Sequence, residues 1–167
     1  MAEEKRYTYP AGANARRQPS AGLRNVGSYQ VSGHPFMTGS ANLDDGKVHM
    51  IEFPYISKSI TVINNNSTSG YDIRVHFQSG SGAGSPVTAP GEHGAQDIVN
   101  AESDVIEKFH FITVPSGHAS ITLDVKCSKF YISQKTGNAN LSYEVFAELT
   151  GISTNSMYHL TGSGVTG

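Results

Sequence analysis

Between Tyr71 and Gln78 the chain alternates strictly, with Tyr71, Ile73, Val75 and Phe77 on one side and Asp72, Arg74, His76 and Gln78 on the other. A period of two marks a half-buried β-strand, because successive side chains leave an extended backbone on opposite faces. Ser120–Val125 repeats the pattern with Ile121, Leu123 and Val125, and Leu141–Leu149 repeats it again. Lys47–Phe53, Ser59–Asn64 and Phe109–Val114 are further strand candidates; Ser28–Val31, Phe36–Ser40 and Lys129–Ser133 carry the pattern more weakly. Asp44-Asp45-Gly46, Asn64–Gly70 and Thr136–Asn140 separate these segments with residues that cap their own backbone or tolerate positive φ. The stretch from Ser79 to Lys108 departs from the pattern. After Gly80, Gly82, Gly84 and Pro86, the loosely helical spacing of Ile98, Val99, Val105 and Ile106 predicts one short helical turn. Short strands without interleaved helices predict an all-β fold, a single antiparallel β-sandwich of jelly-roll type with an extended N-terminal arm.

Composition agrees with strands and turns. Ser (20), Thr (12), Asn (10) and Gly (18) make up 60 of 167 residues, far from the Ala/Leu/Glu/Lys-rich make-up of a helical bundle. No apolar run approaches the roughly 18 residues of a membrane span, and Met1-Ala-Glu-Glu-Lys-Arg6 lacks the apolar centre of a signal peptide, so a soluble protein made without export is expected. Cys127 is the single cysteine, which excludes an internal disulfide and a cysteine-based zinc site and leaves packing to hold the fold.

The net charge of −2 is unevenly placed. Residues 1–24 hold five Lys/Arg (Lys5, Arg6, Arg16, Arg17, Arg24) against Glu3 and Glu4, a local +3; the remainder holds seven against twelve, a local −5. The first 27 residues show neither a period of two nor one of 3.6 and carry Pro10 and Pro19. Two readings stay open for them: a frayed terminus, or an arm that orders on a neighbouring subunit. Tyr7, Tyr9 and Leu23, set among Arg16, Arg17 and Arg24, are the anchor types that interfaces favour. Five cations are too few for a nucleic-acid packaging tail and the acidic body repels DNA, so docking onto an acidic groove of a partner protein is the expected use of the arm. Residues 28–152 form the sandwich and 153–167 a C-terminal extension, in which Met157, Tyr158 and Leu160 are candidate contacts.

Catalytic and metal chemistry find little footing. None of the seven histidines stands two residues from another, as a cupin-type metal strand requires. His110 and His118, with Pro115-Ser-Gly117 between them, can at most meet across a hairpin, and two ligands without a third make no useful site. His76 is expected on the polar face of its strand beside Arg74, and His49 inside the body. No Gly-x-Ser-x-Gly turn supports a hydrolase, and Gly80–Gly84 lacks the Lys-Ser/Thr ending of a phosphate loop. Cys127 reads as a core filler, although Lys126 and Lys129 are placed to lower its pKa. The expectation is a non-enzyme with no cofactor and no metal.

Three segments carry a family likeness: Gly27-Ser-Tyr-Gln-Val-Ser-Gly-His-Pro-Phe36 after the arm, Phe53-Pro-Tyr-Ile-Ser-Lys-Ser-Ile-Thr-Val-Ile-Asn-Asn65, and Glu144-Val-Phe-Ala-Glu-Leu-Thr-Gly-Ile152 before a Gly/Ser tail. In this order the chain resembles the single-jelly-roll capsid proteins of icosahedral double-stranded DNA viruses, the vertex (penton) proteins above all. It departs from them in the glycine-rich loop and acidic stretch at 79–108. The resemblance implies a virion subunit made in the host cytoplasm, five copies around a vertex, and arms reaching the major capsid protein; a ring of this kind closes through heterologous contacts. A decoration or cement protein, as a trimer, is the alternative within that class. A carbohydrate-binding sandwich using Tyr55, Tyr71 and the Asn64–Gly70 loop is the alternative outside it, with the absence of Trp weighing against it.

Overall fold

The alternating segments pair edge to edge and bring their apolar faces together. A computed structural model describes residues 35–45, 47–78, 94–99, 109–135 and 138–157. The predicted arm, the weak strand candidate at 28–31, the glycine-rich loop at 80–84 and the Val105–Ile106 part of the predicted helical turn lie outside these residues. Nine strands are described: β1 (Pro35–Leu43), β2 (Lys47–Glu52), β3 (Tyr55–Asn64), β4 (Ile73–His76), β5 (Gly94–Val99), β6 (Ile112–Val114), β7 (Ser120–Leu123), β8 (Lys129–Gln134) and β9 (Leu141–Ser153). A single 3₁₀ turn, Thr154–Ser156, follows β9.

The protein is all-β, with two antiparallel sheets ordered β1-β9-β3-β7 and β5-β2-β8-β4-β6. The pairings nest: β1 with β9, β2 with β8, β3 with β7 and β4 with β6, all antiparallel. First meets last, second meets second-to-last, and so inward. β9 also pairs with β3, which puts the C-terminal strand inside its sheet rather than at an edge.

The predicted helical turn is corrected where it can be seen. Ile98 and Val99 lie in β5, which runs antiparallel to β2 from Lys47↔Val99 to Glu52↔Gly94. Six residues of backbone pairing along the open edge of β2 outweigh the spacing of four apolar side chains. Several predicted strands shorten for a related reason. Tyr71 and Phe77 pack against the core as their alternation requires, but only Ile73–Val75 meet neighbours on both sides, β8 and β6, and His76 meets β8 alone.

The interior lies between the sheets. Ile60, Val62, Leu141, Tyr143, Val145, Ala147 and Leu149 face Ile51, Phe53, Ile73, Val75, Phe130 and Ile132, all essentially without solvent contact. Phe53 stacks on Phe130 at 5.7 Å between ring centroids and receives Phe36 edge-on at 5.1 Å.

Where strands end or slip, side chains complete the hydrogen bonding. The register of β3 on β9 shifts around Ser57. There the Ser57 hydroxyl meets the Val125 carbonyl at 2.8 Å and accepts the Cys127 N–H at 3.1 Å, while Thr150 Oγ1 donates to the Ile56 carbonyl at 2.8 Å. Asn64, fully buried at the end of β3, uses its whole amide. Nδ2 donates to the carbonyls of Tyr71 and Val114 at 2.9 and 3.0 Å, and Oδ1 accepts from Asn66 N and Nδ2 at 3.0 and 2.7 Å. Asn66 in turn exchanges hydrogen bonds with the Ser142 backbone. The Asn-rich loop thus ties β3, β4, β6 and β9 together at one end of the sandwich.

Asn64→Ala is expected to destabilise the protein by about 3 kcal/mol, since it leaves two carbonyls and an N–H in a buried site without partners. Asn65→Ala is expected to stay within about 0.5 kcal/mol. Urea denaturation of both variants checks the contrast.

Candidate functional site

Of the residues singled out from sequence as contacts, Met157 lies within the described residues; it follows the 3₁₀ turn, is half-buried, and its N–H donates to the Thr154 carbonyl at 3.0 Å. Tyr7, Tyr9, Arg16, Arg17, Leu23, Arg24, Tyr158 and Leu160 lie outside the described residues.

A surface feature that the alternation had hidden stands on the solvent face of the β1-β9-β3-β7 sheet. Three strands each carry an apolar doublet, Phe36-Met37, Val62-Ile63 and Val145-Phe146. A strand turns successive side chains to opposite faces, so one member of each pair joins the core and the other must face out. Met37 is 75% exposed and Phe146 38% exposed. In register, Met37 sits opposite Phe146, and the next outward row runs Gly39, Glu144, Ile63. These residues line an open hollow of about 410 Å³.

Gly39 explains the depth. A Cβ there would lie 2.7 Å from the Tyr143 carbonyl oxygen, too close for any side chain, so the row lacks one member and the sheet dips. Glu144 is exposed at the rim and has no ion pair among the described residues, whereas Glu148 is held by Lys58 at 3.0 Å. The hollow therefore offers apolar walls and one carboxylate free to meet a cation. A second exposed apolar group, Phe109 (80% exposed) and Ile112 (42%), lies just before and on β6, the last strand of its sheet among the described residues, with Phe109 and Phe111 rings 6.2 Å apart.

The chemistry-bearing side chains are turned inward. Arg74 and His76, expected on an exposed polar face, are 7% and 1% exposed. β4 is an interior strand of a sheet buried on both faces here, so alternation no longer separates core from water. The Arg74 guanidinium donates to the Gln134 and Lys135 carbonyls at 2.7 and 2.9 Å and lies 5.2 Å from the Phe111 ring centre. His76 stacks on Tyr131 with centroids 5.6 Å apart, and its Nδ1 lies 2.7 Å from the Gln78 carbonyl. Burial, with a smaller push from Arg74, lowers its pKa to about 4 despite that hydrogen bond. His49 is buried as expected, 2.7 Å from the Tyr143 hydroxyl, and this contact bridges the two sheets.

His110 and His118 do not meet across a hairpin. They flank β6, and the Pro115–Ala119 connection crosses to β7 in the other sheet. Among the described residues no three His, Cys, Asp or Glu side chains converge as a metal site would need. Cys127 is buried against Ser57, and desolvation raises its pKa to about 11, the reverse of the lowering that Lys126 and Lys129 suggested. In the Asn64–Gly70 loop the Asn64 and Asn66 amides are taken up by the carbonyls of Tyr71, Val114 and Ser142 and by each other.

Two outcomes follow. A His held neutral in the folded state loses stability to the unfolded state as pH falls from its unfolded value near 6.5 toward about 4, a window worth about 3 kcal/mol. His76→Phe keeps the stacking and should flatten that acid limb in stability measurements taken between pH 7 and 4. Cys127 should resist a thiol-specific reagent at pH 8 in the folded protein and react fully once urea unfolds it.

Compared with known proteins, the chain matches no protein-family model, no curated protein and no solved structure, so its functional reading rests on its own residues and fold.

Proposed function

We propose that this chain is a jelly-roll structural subunit of an icosahedral viral capsid, forming the vertex (penton) or a minor shell component through contacts made by its N-terminal arm. The nested pairing carries the reading. With the edge strand β5 set aside, the remaining eight strands pair one with eight, two with seven, three with six and four with five. That order supports a jelly-roll reading, one long hairpin rolled into two facing sheets.

The same roll also serves lectins and cupins, so the choice among functions falls to the surface. A solvent-facing sheet with an apolar hollow and an unpaired carboxylate suits protein contact. The Asn64 and Asn66 amides, which a lectin reading would offer to a sugar, are engaged within the sandwich. The predicted partners are the major capsid protein and further copies of this chain, and the virion is where the protein acts.

Deleting residues 1–27 is expected to leave a folded, soluble body that no longer enters particles of the virus encoding it. Unchanged incorporation overturns the reading. In a particle reconstruction, density at five-fold positions supports the vertex role, whereas density between capsomers replaces it with the cement role.

A further inference from the structure

The hollow on the β1-β9-β3-β7 sheet has the make-up of a receptor for one particular kind of peptide. Its walls are Met37, Phe146 and Ile63, its floor is the side-chain-free Gly39, and its rim carries Glu144. A fitting ligand inserts one aliphatic or aromatic side chain and places a cation beside it. This chain contains such a segment: Leu23-Arg24, which closes a stretch of local charge +3, while the remainder of the chain carries −5.

We infer that the hollow formed by Met37, Gly39, Ile63, Glu144 and Phe146 receives the Leu23-Arg24 segment of a second copy of this chain. Leu23 enters between Met37 and Phe146, and the Arg24 guanidinium meets the Glu144 carboxylate. This placement rests on the assembly role proposed above and deepens it by naming the surface that the arm meets.

Met37 is three-quarters exposed, which leaves surface for a ligand to cover. Two observations favour a second copy over the chain's own arm. Pro35 begins β1 at the border of the same face, only four residues before Gly39, so Leu23 of the same chain would have to turn back on itself to enter. The twelve residues from Leu23 to Pro35 (35 minus 23) reach up to about 40 Å when extended. The body of such a chain is roughly 35 Å across, so that reach matches a touching neighbour. Identical subunits linked in this way make head-to-tail contacts, the kind that closes a ring.

The test uses the full chain with p-benzoylphenylalanine in place of Asn25, which leaves Leu23 and Arg24 intact. Light and ¹⁵N-labelled chains are mixed at concentrations where light scattering shows association, irradiated, and mapped by mass spectrometry. Adducts joining residue 25 of one isotope to the Met37 or Phe146 peptide of the other are expected. Glu144→Lys should lower their yield about two- to fivefold, as for an exposed ion pair; Arg24→Glu in the same chain should restore it. Met37→Asp should lower it about tenfold. Circular dichroism of each variant checks that the body is folded.

Adducts confined to one isotope, adducts mapping to the Phe109–Ile112 edge, absence of adducts in the associated state, or adducts to the major capsid protein alone within particles would each overturn the placement. Arm deletion that abolishes incorporation while the adducts map elsewhere keeps the assembly role and rejects the hollow. Adducts at the hollow with incorporation unaffected by deletion keep the contact and reject the role.

Discussion

The dry layer between the two sheets is the constraint on which most of this structure depends, and a smaller buried group of Val48, Met50 and Tyr131 stands apart from it. Its single cysteine is unpaired, so no disulfide constrains the unfolded chain, and the interior has to be stabilised by burial of Ile, Val, Leu and Phe side chains. Polar contacts enter the layer at particular places. His49 and Tyr143 face each other across it, and Asn64 closes one end with four hydrogen bonds. A buried polar group left unpaired costs more than a pair contributes. These contacts therefore specify where the sheets sit more than they add to cohesion.

The irregularities in the ladders serve the same end. At the slip in the register of β3 on β9, Thr150 Oγ1 donates to the Ile56 carbonyl, and the Ser57 hydroxyl reaches the Val125 carbonyl of the β7–β8 connection. The Ser57 contact also draws the β7–β8 connection inward, which is why Cys127 becomes a core residue rather than an accessible thiol. Gly39 has the complementary part. Close approach of β1 to the Tyr143 carbonyl leaves no room for a Cβ, and the gap that results is the hollow on the outer face.

The strands were largely legible in the sequence because alternation is local, and the segments at Tyr71–Gln78, Ser120–Val125 and Leu141–Leu149 each contain a strand with the inward residues identified. What alternation cannot convey is which sheets are covered on both sides. Arg74 and His76 therefore looked solvent-exposed and are not. β5 was misread because its partner, the edge of β2, lies more than forty residues away in sequence. The surface site was half-visible. Phe36-Met37, Val62-Ile63 and Val145-Phe146 break the period in the same way, but their convergence depends on β1, β3 and β9 being neighbours, a fact of topology rather than of spacing.

The position of β9 sets the order in which this fold can be made. Its thirteen residues lie between β1 and β3, so among the described strands β1 has no hydrogen-bonded neighbour until β9 has been made. Contacts this distant in sequence form slowly and leave strand edges unpaired in the meantime. For much of its synthesis, β1 therefore presents an unpaired edge beside other nascent chains on the same messenger. A chain of this topology passes through its most adhesive state before β9 is made.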